Sequence, residues 1–138
     1  MSYKFGDRSS ANLETCSEKL QLVAHEVIRF VDFSVIEGHR PDERQYQLYL
    51  DGKSEFDGIT QKSEHQSNPS RAMDLLPYPS VLHGVNIWAD YKRFIMFDGF
   101  VLGIARANGI ELISGIDWNQ DWSMADTGFF DYPHFQEK

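Results

Sequence analysis

Cysteine is almost missing from this chain: Cys16 stands alone, so no internal disulfide is available. The same scarcity excludes cysteine-rich structural metal sites, and any metal bound here must be held by histidine and carboxylate. No apolar run approaches the roughly 18 residues that a membrane span needs, so membrane insertion is not expected. The opening Met1-Ser2-Tyr3-Lys4-Phe5-Gly6-Asp7-Arg8 has no apolar core of a signal peptide, which predicts a chain made and kept soluble in the cytoplasm. Basic residues are also short. Thirteen Lys and Arg face 21 Asp and Glu, giving a net charge of −8 with no Lys/Arg run, so a phosphate backbone is repelled and nucleic acid is not an expected partner. Repeats, linkers and low-complexity segments are absent. What remains is ordinary globular composition, 41% hydrophobic and 25% charged over 138 residues, enough for one domain, 1–138, with its own core.

Hydrophobic period alternates between helix and short strand. After a capping-box pattern at Thr15-Cys16-Ser17-Glu18, Leu20, Val23, Val27 and Val31, with Ala24 and Ile28, mark an amphipathic helix. Asp32-Phe33-Ser34-Val35-Ile36-Glu37-Gly38 reads as a strand, and Pro41 with Gly52 brackets a second helix over about residues 41–51. The stretch from Gly52 to Arg71 is polar and aperiodic, a long loop of the kind that more often serves function. Ala72-Met73-Asp74-Leu75-Leu76 is a brief strand stopped by Pro77 and Pro79. The longest helix is predicted between Trp88 and Asn108, capped at Gly109, followed by strands at 110–113 and 133–136. Irregular connections argue against repeated βαβ units. The fold class expected is α+β, a small antiparallel sheet flanked by helices.

Five histidines are present: His25, His39, His65, His83 and His134. His25 and His83 read as surface residues. Asp74 lies inside an apolar strand, where a carboxylate is costly unless it is paired or bound to metal. His134 is set among Phe129, Phe130, Tyr132 and Phe135. With His65 these residues could hold one metal with an open position for water, as in metallohydrolases. A buried hydrogen-bonded pair of Asp74 and His134 with no metal fits the same spacing. The acidic groups Asp117, Asp121 and Asp126, and Asp51, Glu55 and Asp57, lack a calcium-loop pattern and read as solvated loop charge.

Taken in order, Ser63-x-His65, Ala72-x-Asp74 and Asp131-x-x-His134-Phe135 resemble the signature of the zinc peptidases that include D-alanyl-D-alanine carboxypeptidases and the L-alanyl-D-glutamate endopeptidases of phages. Glu37-Gly38-His39-Arg40 with Arg44-Gln45 resembles the family's Ser-Gly-Tyr-Arg segment and its downstream Gln, although His39 replaces the Tyr. Ser114-Gly115-Ile116-Asp117-Trp118 is similar to the Gly-Gly-Asp-Trp segment that precedes the last ligand. The likeness runs from about residue 12 to the end, and its type is the single-domain endolysin of tailed phages that infect Gram-negative bacteria. One departure stands out: eight residues separate His65 from Asp74, two more than the commoner family spacing, so the loop must bulge near Ser67-Asn68-Pro69-Ser70.

The resemblance implies a fold like that of the D-alanyl-D-alanine peptidases and the Hedgehog signalling domain, with His65, Asp74 and His134 binding Zn2+. It implies Asp131 as general base, which needs a bend at Pro133 because residues 131 and 134 of a regular strand face opposite ways. A turn-forming Asp131 is the plainer alternative. Arg40 would polarise the scissile carbonyl or pair with a substrate carboxylate, against a surface salt bridge. Ser63 and Gln45 would bind substrate, and Asp117 and Trp118 would support His134. The implied substrate is the stem peptide of bacterial peptidoglycan, cut at L-alanyl-D-glutamate for host lysis. D-alanyl-D-alanine carboxypeptidase activity and a non-catalytic zinc-containing binding module are the alternatives. A monomer is expected, held in the host cytoplasm until a holin pore made by another phage protein admits it to the periplasm and wall.

Overall fold

Ser17 opens the helix that carries most of the apolar period: its Oγ accepts the Leu20 N–H, and α2 runs Glu18–Val27 with Leu20, Val23, Ala24 and Val27 buried. The capping pattern therefore acts at Ser17, and the helix stops one turn before Val31. The computed structural model describes residues 3–138. Its remaining helices are α1 (Asp7–Glu14), α3 (Asp42–Leu50) and α4 (Tyr91–Ala107), with 3-10 turns at Glu64–Gln66 and Ile87–Ala89. Helix α4 starts later than the Trp88 boundary because the Asp90 side chain caps it, and Gly109 at φ +73° takes the left-handed turn beyond its end.

Strands β1 (Phe33–Glu37), β2 (Ala72–Pro77), β6 (His134–Glu137) and β5 (Leu112–Ser114) form one antiparallel sheet in the order β1-β2-β6-β5, and β3 (Val81–Leu82) with β4 (Val85–Asn86) makes a separate hairpin. The architecture is α+β. Strand period two then sorts the side chains. Met73, Leu75, Phe33, Val35, Leu112 and Phe135 join the helices in the hydrophobic core, where full burial of such a side chain contributes roughly 1.5–3 kcal/mol. Asp74 alternates with Met73 and Leu75 and so leaves the core. It pairs in register with His134 on β6 and with Glu37 on β1, where an irregularity between Val35 and Glu37 shifts the ladder. One cross-strand row thus reads Glu37, Asp74, His134.

Helix α1 shows little apolar period, burying only Ser9 and Leu13. Its polar side chains close the free edge of β1 instead: Ser9 Oγ accepts the Val35 N–H at 3.0 Å and Asn12 Nδ2 donates to the Val35 carbonyl at 2.8 Å. The extra residues of the His65–Asp74 loop are tied down at Ser70, which donates its N–H to the Thr15 carbonyl at 2.8 Å and accepts from Ser17 N–H at 2.9 Å. The bulge therefore docks on the α1–α2 connection and leaves His65 and Asp74 together.

Candidate metal centre

Each of the three expected ligands arrives from a different element. His65 sits in the 3-10 turn that Ser63 caps, with the Ser63 Oγ accepting the His65 N–H at 3.2 Å and Gln66 Oε1 accepting the Ser63 N–H at 2.8 Å. Asp74 comes from β2 and His134 from the start of β6. His65 Nε2 lies 3.2 Å and His134 Nδ1 3.4 Å from the same oxygen, Asp74 Oδ1. One donor atom from each residue falls within 4.8 Å of the others.

The outward nitrogens decide what this cluster wants. His65 Nδ1 is 2.8 Å from the Gly38 carbonyl oxygen, and His134 Nε2 is 2.8 Å from Gln136 Oε1. Both oxygens can only accept, so both nitrogens carry their protons and donate. In the neutral rings, His65 Nε2 and His134 Nδ1 are then lone pairs aimed at a carboxylate oxygen. Three acceptors facing one another repel unless a cation lies among them. The cluster therefore fits either protons on the imidazoles or a metal ion, and an N,N,O donor set with tautomers fixed from behind suits zinc.

Burial opposes ionisation of Asp74, but hydrogen bonds with His134 and His65 outweigh it and hold the carboxyl well below its usual range. Burial likewise opposes a charge on His134, and its hydrogen bond to Asp74 overrides that to raise its pKa. Asp131 shifts the other way: desolvation, then the negative charge of Asp74, raise its carboxyl above the ordinary value. The expected bend is present. Tyr132 and Pro133 form a turn closed by His134 N–H donating to the Asp131 carbonyl at 3.1 Å, and Asp131 Oδ2 comes to 4.0 Å from His134 Nδ1.

Other expected roles change. Arg40 is buried: Nε and Nη2 donate to Glu37 at 3.0 and 2.7 Å, and Nη1 donates to Gln45 Oε1 at 2.8 Å. It is not a surface salt bridge, since its guanidinium is held by the buried Gln45 and the partly buried Glu37. Its Nη2 stands 3.9 Å from Asp74 Oδ2 and supports the ligand carboxylate from behind. Gln45 is fully buried and cannot bind substrate, because its amide also donates to Ser54 Oγ and the Phe56 carbonyl. Ser63 is committed to capping the turn under His65. Asp117 does not reach His134: its carboxylate accepts the N–H groups of Asp121 and Trp122. Trp118 does, its ring lying against the imidazole with centroids 5.4 Å apart.

Several contributors were not expected. Glu37 bridges Arg40 and Arg44; burial opposes its charge, and those two guanidinium groups overcome it and keep the carboxyl below its usual range. Gln136 holds His134, and the period of two along β6 is the signal that places them on one face. Gly115 lies flush against Asp131: it donates its N–H to the His134 carbonyl at 2.9 Å, accepts the Asp131 N–H at 2.8 Å, and a β-carbon there would overlap the Asp131 carbonyl. Behind this wall Asp98 of α4 is fully buried, with Oδ2 3.5 Å from Ser114 Oγ and Oδ1 without a partner. Burial, helped by the nearby Asp131 charge, pushes its carboxyl up to about 9. Cys16 is buried and its thiol is pushed up to about 11 by desolvation, so it is an inert core residue. His25 and His83 are exposed.

Fold and site together place a possible metal-binding triad, His65, Asp74 and His134, on an α+β scaffold. A family model described as phage L-alanyl-D-glutamate peptidase matches residues 1–137, and the chain belongs to that family. It is 30% identical to the L-alanyl-D-glutamate peptidase of Escherichia phage T5, over 99% of this chain and 98% of the relative. Among solved structures it matches the Serratia marcescens L-Ala D-Glu endopeptidase ChiX with a TM-score of 0.72 and 28% identity, over 98% of this chain and 90% of that one.

Proposed function

We propose that this chain is a zinc-dependent endolysin-type peptidase that hydrolyses the L-alanyl-D-glutamate bond in peptidoglycan stem peptides. One observation carries the metal-dependent reading: two imidazoles with their outer nitrogens committed to carbonyl oxygens, both turned on one carboxylate oxygen. Family membership supports the choice of bond.

His65, Asp74 and His134 would hold the metal. When bound, zinc supplies Lewis acidity that makes water nucleophilic near neutral pH and polarises a carbonyl. Asp131, partly exposed and with its carboxyl raised by desolvation and by Asp74, takes the proton of the attacking water and returns it to the leaving amine. Gly115 and the turn at Tyr132-Pro133 set where that carboxylate stands. Arg40, locked by Glu37 and Gln45, places a positive charge 3.9 Å from Asp74 Oδ2, behind the site. Among the described residues no helix is long and apolar enough to cross a membrane. In this reading the enzyme acts as a monomer, accumulates in the host cytoplasm and reaches the wall when a separate holin opens the inner membrane.

Release of peptide fragments from purified peptidoglycan tests the assignment. The zinc-loaded chain is expected to release them, chelation to stop it and zinc to restore it. Asp131→Ala should retain one zinc per chain and lose release; unchanged turnover in that variant removes Asp131 as the base.

A further inference from the structure

A row of aromatic rings begins at a metal ligand and ends in solvent. Trp118 lies against His134, and Phe129 stacks on Trp118 with centroids 6.3 Å apart and planes only 14° from parallel. Trp118 Nε1 donates to the Phe129 carbonyl at 3.0 Å, which fixes the two rings relative to each other. Phe129 is 58% exposed, and neither ring belongs to the hydrophobic core. The stack on Trp118 holds Phe129 in place, yet more than half of its surface stays in water at the rim of a polar site. Its use lies in what binds beside the metal.

We infer that the Trp118–Phe129 ledge binds the muramoyl sugar of the glycan strand, an inference that rests on the peptidase reading above. In a stem peptide the amino group of L-alanine is joined through a lactyl group to that sugar. The bond between L-alanine and D-glutamate therefore lies one residue and one lactyl group from a saccharide ring, a span of roughly 7 Å at about 3.3–3.6 Å per extended residue. A cleft that admits this bond must meet the sugar within about one side chain of the metal ligands. The two faces of a pyranose carry C–H groups and pack flat on aromatic planes. The other side of the scissile bond is a run of free carboxylates with no flat apolar face, and a chain of net charge −8 offers it little attraction. Of the substrate's parts, the sugar is the one that matches an exposed, rigid, uncharged ring continuous with His134.

The test compares kcat/KM on two defined substrates, the disaccharide-tetrapeptide and the N-acetylated tetrapeptide without sugar. The wild-type enzyme is expected to prefer the sugar-bearing substrate by tenfold or more, expressed in KM. Phe129→Ala should reduce that preference about tenfold, while Phe129→Trp, which keeps an aromatic plane, should preserve it. Phe30→Ala, which alters an exposed ring paired with Phe100, should leave the preference as in wild type. Equal use of the two substrates by the wild-type enzyme overturns the inference, as does a Phe129→Ala variant that slows both equally or keeps the preference. If the wild-type enzyme cleaves neither substrate, the peptidase reading itself falls and takes this one with it.

Discussion

Asp98→Asn should stabilise this protein increasingly as pH rises. Asp98 is fully buried on α4, its Oδ1 has no hydrogen-bond partner, and its carboxyl is pushed up to about 9 from an ordinary 3.8. Below pH 3.8 the group is protonated in both folded and unfolded chains, so its contribution to stability is complete there. Between 3.8 and about 9 the unfolded chain releases the proton and the folded chain keeps it, so stability falls as pH rises. The slope is about 1.4 kcal/mol per pH unit, or up to about 4 kcal/mol between pH 5 and pH 8. An asparagine is neutral in both states and escapes this loss, although its amide inherits an unsatisfied site at a cost of about 1–3 kcal/mol. Urea unfolding of zinc-loaded wild type and Asp98→Asn, followed by tryptophan fluorescence, measures the difference directly. Both proteins carry the same ligands, so proton exchange linked to metal cancels between them. The variant should be near or below wild type at pH 5 and clearly above it at pH 8. A difference that stays constant across that range shows that Asp98 is ionised in the fold and refutes the reasoning.

Gly115→Ala places a methyl group on the Asp131 carbonyl and must displace the turn that carries the base and the last ligand. Turnover should fall by about a hundredfold with circular dichroism unchanged, since misplacement of a reacting group by about 1 Å has that effect; wild-type rates would contradict it. Arg40→Met leaves Glu37 with only the exposed Arg44 as its partner, and denaturant titration should show a loss of about 1–3 kcal/mol. Arg40→Lys should recover only part of this, because an ammonium lacks the planar fork that meets both Glu37 oxygens on one edge and Gln45 on another.

Asp74 was legible as a residue in need of a partner because a carboxylate amid Ala72, Met73, Leu75 and Leu76 is costly alone, and the register of β2 with β6 sets it opposite His134. The apolar period placed α2 and α4, and Gly and Pro placed most of the boundaries. Helix α1 was not legible, since its work is to satisfy the β1 backbone with Ser9 and Asn12 and it buries almost no apolar surface. The β3–β4 hairpin consists of exposed two-residue strands and leaves no period to read. At the site, residue types were readable and directions were not. Arg40 and Gln45 turn inward because Glu37, three residues before Arg40, claims the guanidinium, and Asp117 turns to its own loop because two backbone N–H groups lie closer than any imidazole. Those choices depend on the path of the backbone in space, which spacing along the chain does not encode.

The most direct test is the mass of the fragments that the zinc-loaded chain releases from purified Gram-negative peptidoglycan. Stem peptides that begin at D-glutamate, with L-alanine left on the glycan and the whole yield lost on chelation, are the predicted products. Release of terminal D-alanine alone, or the same fragments in the presence of chelator, would contradict a zinc-dependent L-alanyl-D-glutamate peptidase built on His65, Asp74 and His134.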